Sequence, residues 1–390
     1  MECPAGAPAQ KRSSRAFLAS ALFPAAVLAL AGCGRHGRAQ AVDPGAWLFD
    51  SYQPSAWEQE WRKGEESGER HNLECEFLAK PEDVKRSVQL LRAVRGLVLR
   101  GAPVPAGTIN LFSRMVYKRC VGPDLKDTGE RRVQLIEPLV GILRDPLTIC
   151  PRPPRVQDED YMAFDSGEGP VQSKRHLLIG PAAPWSDTPG DPDSWHIGGF
   201  TPWMTDPAGR GDCARPQTFL VDMGASLYDE WNGDPASAST SWFVDRFKRQ
   251  RQAFDWIVAF EVDKHTPEEI YRHVPDDVLP HYIYFNRGVE KSPIGRWNPW
   301  RILEGMGVTP RDYVVAKLDI DVPDIEDAII EQVLDDPKVA SVVDEMFFEQ
   351  HVNVRAMWAG WGQDTTLTML DSYKLFGALR AKGIRMHSWP

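Results

Sequence analysis

The sequence contains no Asn-x-Ser/Thr sequon, no Cys-x-x-Cys pair and no cysteine–histidine spacing that fits a zinc site. The first absence removes N-linked glycosylation, and the other two remove zinc-ribbon, zinc-finger and thioredoxin-type chemistry. A positive excess is missing as well: 45 Lys and Arg stand against 55 Asp and Glu, for a formal net charge of −10. An acidic body argues against non-specific binding to nucleic acid or anionic lipid. Beyond residue 40 no uncharged run approaches the roughly 20 residues of a membrane-spanning helix. Membrane contact is therefore expected only through the N-terminal segment.

That segment reads as a targeting sequence. Lys11, Arg12 and Arg15 form a basic stretch, the 17 residues Ala16–Gly32 carry no charge, and small residues follow. A cleaved signal peptide and an uncleaved anchor both fit. Leu30-Ala31-Gly32-Cys33 also matches a bacterial lipoprotein box, with Cys33 as the lipid-bearing residue. Residues 1–41 are set aside on this basis. The protein is expected in the secretory lumen, secreted, or tethered by this segment. Cys75, Cys120, Cys150 and Cys213 then form an even set in an oxidising compartment, where one or two disulfides are expected and buried thiols are the alternative.

The remaining chain divides by pattern. Residues 42–75 are rich in Trp and Glu and predict short helices and turns. The stretch PEDVKRSVQLLRAVRGLVL, Pro81 to Leu99, has apolar residues at three- and four-residue spacing and predicts an amphipathic helix. One or two more helices are expected over 108–147, giving a helical N-terminal region over 42–150. Residues 151–215 are crowded with Pro, Gly and Asp and predict an irregular segment, with one strand at Lys174–Ile179. From 216 to 390 apolar runs alternate with helical stretches, which predicts an α/β, doubly wound, Rossmann-like sheet covered on both faces. Thr266-Pro267-Glu268-Glu269 is a helix start: a hydroxyl cap, proline at the first position, then acids at the positive end of the dipole.

Ligands of open parallel sheets bind outside the carboxyl ends of the strands. The residues there are Asp222, Gly224 and Ala225 after the first strand, and Glu261 and Asp263 after the second. Lys317, Asp319 and Asp321 follow the fourth, and Glu349 and His351 the fifth. An acid ending the second strand suits a nucleoside, because a carboxylate accepts both ribose hydroxyls.

The ordered set DMGAS, AFEVD, KLDIDVPDIE and FFEQH resembles the FkbM-type S-adenosylmethionine-dependent methyltransferases, over residues 215–390. The resemblance implies a methyltransferase-type sheet and methyl transfer to an oxygen of a glycan or small hydroxylated acceptor. It implies S-adenosyl-L-methionine as cofactor, held by Asp222, Gly224, Ala225, Glu261 and Asp263. His351 with Asp319 or Asp321 would handle the acceptor proton. Glu349 and the loop tryptophans Trp358 and Trp361 would contact substrate, and no metal is assigned in this reading. The pattern departs from the family at Ser226, at Tyr228 in place of a further glycine, and at Val322-Pro323. A ring at position 228 is expected either to shift the loop or to lie across the cofactor's path.

Other chemistry stays open. Asp319, Asp321, Glu349 and His351 together suit Mg²⁺, Mn²⁺ or Ca²⁺ and would support a metal-dependent glycan-modifying enzyme or hydrolase. Alternatively, Asp319 and Asp321 cap the following helix while Lys317 pairs with an acid inside the sheet. His387 is the second candidate base. Trp203, Trp297, Trp300, Trp358 and Trp361 either stack on ligands or close loops over the core. A non-catalytic methyltransferase-fold binding protein is the last alternative.

Overall fold

The structure, a computed structural model, describes residues 46–67, 81–100, 104–122, 124–141, 184–186, 195–197, 216–229, 239–249, 252–358, 362 and 365–389. The leader, Cys33, Cys75, Cys150, Cys213, the expected strand at Lys174–Ile179, Trp203 and Trp361 lie outside these residues. Among the described residues no helix is long and apolar enough to cross a membrane.

The C-terminal half is a six-stranded sheet of β6 (Thr218–Met223), β7 (Trp256–Phe260), β8 (Tyr282–Phe285), β9 (Tyr313–Leu318), β10 (Glu345–Phe348) and β11 (Arg385–Ser388). All neighbours pair in parallel, in the order β11-β10-β9-β6-β7-β8. Counted from its own first strand this is 3-2-1-4-5-6, the doubly wound order, with its switch point between β6 and β9. Both faces are apolar. Phe219, Val221 and Met223 of β6 join one core cluster, and Leu220 between them joins the other. The helices Pro299–Gly305, Pro323–Asp335 and Met369–Ala381 cover the first face, while Ser239–Arg249 and Pro267–Tyr271 cover the second. The expected start at Thr266 is present as a full capping box, in which the Thr266 side chain and Glu269 each satisfy the other's backbone N–H.

The N-terminal region corrects the sequence expectation. Helices are present at α1 (Ala56–Glu66), α2 (Pro81–Arg100) and α3 (Ala106–Ile109). Most of the described part of 108–147, expected to be helical, is strand instead. β1 (Ala46–Gln53), β2 (Ser113–Val121) and β3 (Lys126–Ile136) pair antiparallel, and the short β4 (Pro184–Ser186) and β5 (Trp195–Ile197) extend the sheet. The physical reason is period two. Met115 and Tyr117 fall on one face of β2 and pack with Trp47 and Ile136, with Arg114 and Lys118 flanking them on the other face. Cys120, in β2, is buried and free, so it forms no disulfide.

In chain order the remaining helices are α4 (Ser239–Arg249), α5 (Pro267–Tyr271), α6 (Pro299–Gly305), α7 (Pro323–Asp335), α8 (Pro337–Ala340) and α9 (Met369–Ala381). Trp57 and Trp61 of α1 and Leu135 of β3 share a core cluster with Tyr373 and Phe376 of α9, so the two sheets are one packed body.

Candidate functional site

The carboxyl edge of the parallel sheet is organised by a buried lysine. Asp222 and Lys317 are register partners on β6 and β9, so their side chains lie on the same face. Both are buried, with Lys317 Nζ 3.6 Å from Asp222 Oδ1. Lys317 also donates to the carbonyl of Gly224 at 2.6 Å and stands 3.2 Å from Asp319 Oδ2. Asp222 Oδ2 accepts the hydroxyls of Ser239 and Thr240 at 2.7 and 2.6 Å, fixing the start of α4 beneath the strand end. Lysine and aspartate thus pair inside the sheet, and Asp319 belongs to this group.

The loop after β6 is held by glycine. Gly224 has φ +82°, and a Cβ added there would lie 1.8 Å from the Asp319 carbonyl oxygen. Only a residue without a side chain allows β6 and β9 to end this close together. The amides of Gly224 and Ala225 both donate to Phe260 O at 3.0 Å. Ser226, with φ +53°, donates its amide to Glu261 Oε2 at 2.8 Å. Glu261 Oε1 accepts the amide of Asp263 at 2.9 Å, while the Asp263 side chain is exposed. Tyr284 donates to the Ser226 carbonyl at 2.7 Å, and Asn286 Nδ2 donates to the carbonyl of Glu261. Tyr228 does not cross the loop mouth. Its ring is buried in the second core cluster, edge-on to Tyr282 with centroids 5.9 Å apart. Burial pushes its hydroxyl well above the usual phenol range.

A second group forms where β9 and β10 end. Asp321 Oδ1 is 3.4 Å and Glu349 Oε2 3.6 Å from His351 Nε2. Donor atoms of the three lie within 4.8 Å of one another, a spread that one cation could bridge. His351 and Glu349 are largely buried, whereas the Asp321 side chain is 74% exposed. Of the four residues considered for a metal, Asp319 is therefore drawn away by Lys317. The N-cap position of α7 is Val322, which makes no side-chain cap bond, rather than Asp319 or Asp321.

Glu326 is the residue that the motif comparison passed over. It lies in the first turn of α7, 1% exposed, and its Oε1 accepts the amide of Ile320 at 2.9 Å. Desolvation raises its carboxyl to about 7 against the pull of the Ile320 amide and His351, with Asp319 and Asp321 pushing further upward. A signal was present: Glu326 precedes the buried Ile329, Ile330 and Val333 by three, four and seven residues, on the core face of the helix.

The tryptophans divide. Trp300 is buried, with its indole bonded to the Ile329 carbonyl. Trp297 packs on Phe285, and Trp358 is half-buried with its N–H on Asn353 Oδ1 at 3.0 Å. His387 is fully buried between Glu137 and Glu345 and is remote from solvent, so the alternative base has no access to an acceptor.

No protein-family model, curated protein or solved structure matches the chain.

Proposed function

We propose that the protein is an S-adenosylmethionine-dependent methyltransferase acting on a hydroxyl of a glycan or small acceptor. One observation carries this reading. The first three amides of the first-strand loop are used inside the protein: Gly224 and Ala225 on Phe260 O, and Ser226 on Glu261. Dinucleotide-binding loops keep such amides for a pyrophosphate at a helix N-terminus. Here the hydroxyls that open α4 turn to Asp222 instead. A nucleoside cofactor without phosphates fits this loop, and Glu261 retains lone pairs for ribose hydroxyls because each carboxylate oxygen accepts only one bond. In this reading Asp222, Gly224 and Ala225 shape the cofactor loop, and Asp263 fixes the Glu261 carboxylate through its amide. His351 serves as the proton acceptor beside Asp321, and Glu349 and Trp358 line the acceptor side. The sulfonium methyl of the cofactor supplies the transferred group. The body of the protein, beyond any leader, is read as lying in the secretory lumen or outside the cell.

A second reading rests on the cluster of Asp321, Glu349 and His351: a divalent cation held there would make the protein a metal-dependent hydrolase or glycan-modifying enzyme. Calorimetric titration of the purified chain with S-adenosylmethionine and, separately, with Mn²⁺ distinguishes the two. Binding of the cofactor in the micromolar range supports methyl transfer. A folded chain that takes up Mn²⁺ but no cofactor, and loses Mn²⁺ uptake as His351→Ala, transfers support to the second reading.

A further inference from the structure

A buried charge network lies away from the candidate site, where the N-terminal sheet meets the edge of the parallel sheet. β11 is an edge strand, and Glu137, which follows β3, packs against it. His387 Nδ1 is 2.7 Å from Glu137 Oε1, and Nε2 is 2.8 Å from Glu345 Oε1. The imidazole is 0% exposed and lies flat on Phe347, with centroids 4.5 Å apart and an interplanar angle of 17°. It therefore has no room to turn toward other partners.

Charged and titratable groups converge on this ring from every neighbouring element. From α9, Arg380 bonds Glu137 Oε1 at 3.1 Å and the Glu137 carbonyl at 2.8 Å. From β11, Arg385 lies 3.5 Å from Glu345 Oε1, its register partner's carboxylate. From β9, Tyr313 donates to Glu345 Oε2 at 2.7 Å. Tyr52 of β1 accepts from Arg380 and donates to Glu58 of α1, which also takes the Ser113 hydroxyl and the Leu139 amide. Tyr117 of β2 and Asp344 complete the surroundings. Burial pushes the Tyr117 hydroxyl and the Asp344 carboxyl above their usual ranges.

Three carboxylates, Glu58, Glu137 and Glu345, thus face Arg380, Arg385 and His387. The charges balance only when the imidazole carries two protons. A neutral ring has one N–H, so it serves one carboxylate and turns a lone pair toward the other. Glu137 cannot compensate, because its Oε2 is already buried without a hydrogen bond.

We propose that His387 is a proton-dependent latch which, as imidazolium, ties the N-terminal antiparallel sheet to the β11 edge of the parallel sheet and, on losing its proton, lets that seam open. An unpaired strand edge is a template for association with another chain, so the latch also guards β11. The carboxyls of Glu137 and Glu345 support the assignment. Burial pushes both upward, yet His387 and the two arginines hold them below the usual glutamate range.

Hydrogen–deuterium exchange of the full chain between pH 6 and 9 tests this, with β6 and β7 amides as the internal reference for the chemical rate. The wild type is expected to lose protection in β3 and β11 as pH rises, by at least tenfold relative to β6. His387→Gln, whose amide cannot take on a positive charge between the two carboxylates, is expected to show the low protection at every pH. Glu137→Gln removes one of the charges that hold the proton, so it should open at a lower pH than the wild type. Its behaviour keeps the proposal testable if His387→Gln does not fold. Equal pH dependence in wild type and Glu137→Gln, or loss of protection spread evenly over β6 and β7, overturns the proposal.

Discussion

The carboxylate of Glu261 accepts the amide hydrogen of Ser226 at 2.8 Å, so the acid that ends the second strand also holds the loop that ends the first. If Glu261 contacts ribose as well, Glu261→Ala removes the cofactor's ligand and loosens its loop together. A hydrogen bond to a charged group contributes about 1.5–3 kcal/mol, which corresponds to roughly a 10- to 100-fold rise in Kd for S-adenosylmethionine. Calorimetry on wild type and variant checks this. An unchanged Kd removes Glu261 from the binding site.

Gly224→Ala separates two reasons for a glycine. Gly224 and Gly307 both have positive φ, at +82° and +80°. A Cβ at Gly307 meets nothing within 4 Å, whereas at Gly224 it runs into the Asp319 carbonyl. Gly307→Ala should show only the left-handed backbone penalty, about 1–2 kcal/mol. Gly224→Ala should lose clearly more in urea denaturation, because β6 and β9 must part. Equal losses would mean that the strand ends relax freely around the added methyl.

The α/β half was legible because its signals are local. Continuous apolar runs such as Trp256–Phe260 mark strands buried on both faces, and Thr266 announces its helix with a complete capping box. The antiparallel sheet was not, because β2 and β3 carry arginines and lysines between their apolar residues and cohere only through pairing across the chain. At the site, the strand-end acids were visible but not their partners. The sequence offered Lys317 an acid partner inside the sheet but not which one, since its contact with Asp222 depends on the register of β6 against β9. The place of the Tyr228 ring was hidden for a related reason: it is decided by the Tyr282 side of the core, not by the loop.

Acid stability should hinge on the seam. Glu137 and Glu345 have carboxyls depressed below the ordinary value of 4.5, against the upward push of burial. A depressed carboxyl contributes stability that is complete above its unfolded pKa and is lost as pH falls through the folded one. Urea midpoints should therefore drop steeply below about pH 4.5. Glu137→Gln should start from a lower midpoint at pH 6 and show a shallower acid slope. Parallel slopes for variant and wild type would assign acid unfolding to other carboxylates.

Glu326 titrates with the opposite sign. Its folded carboxyl stands at about 7 against an ordinary 4.5, so between those values the folded chain holds a proton that the unfolded chain has released. Stability from this group therefore falls as pH rises from 4.5 to 7, by on the order of 3 kcal/mol in all. Glutamine keeps an oxygen for the Ile320 amide but never ionises. Glu326→Gln is thus expected to match the wild type near pH 5 and to exceed it in melting temperature at pH 8, where the buried carboxylate is charged beside Asp319 and Asp321. Thermal melts at the two pH values decide the matter. A variant that is less stable at both would mean that the charged carboxylate, through the Ile320 amide and His351, stabilises the turn more than burial penalises it.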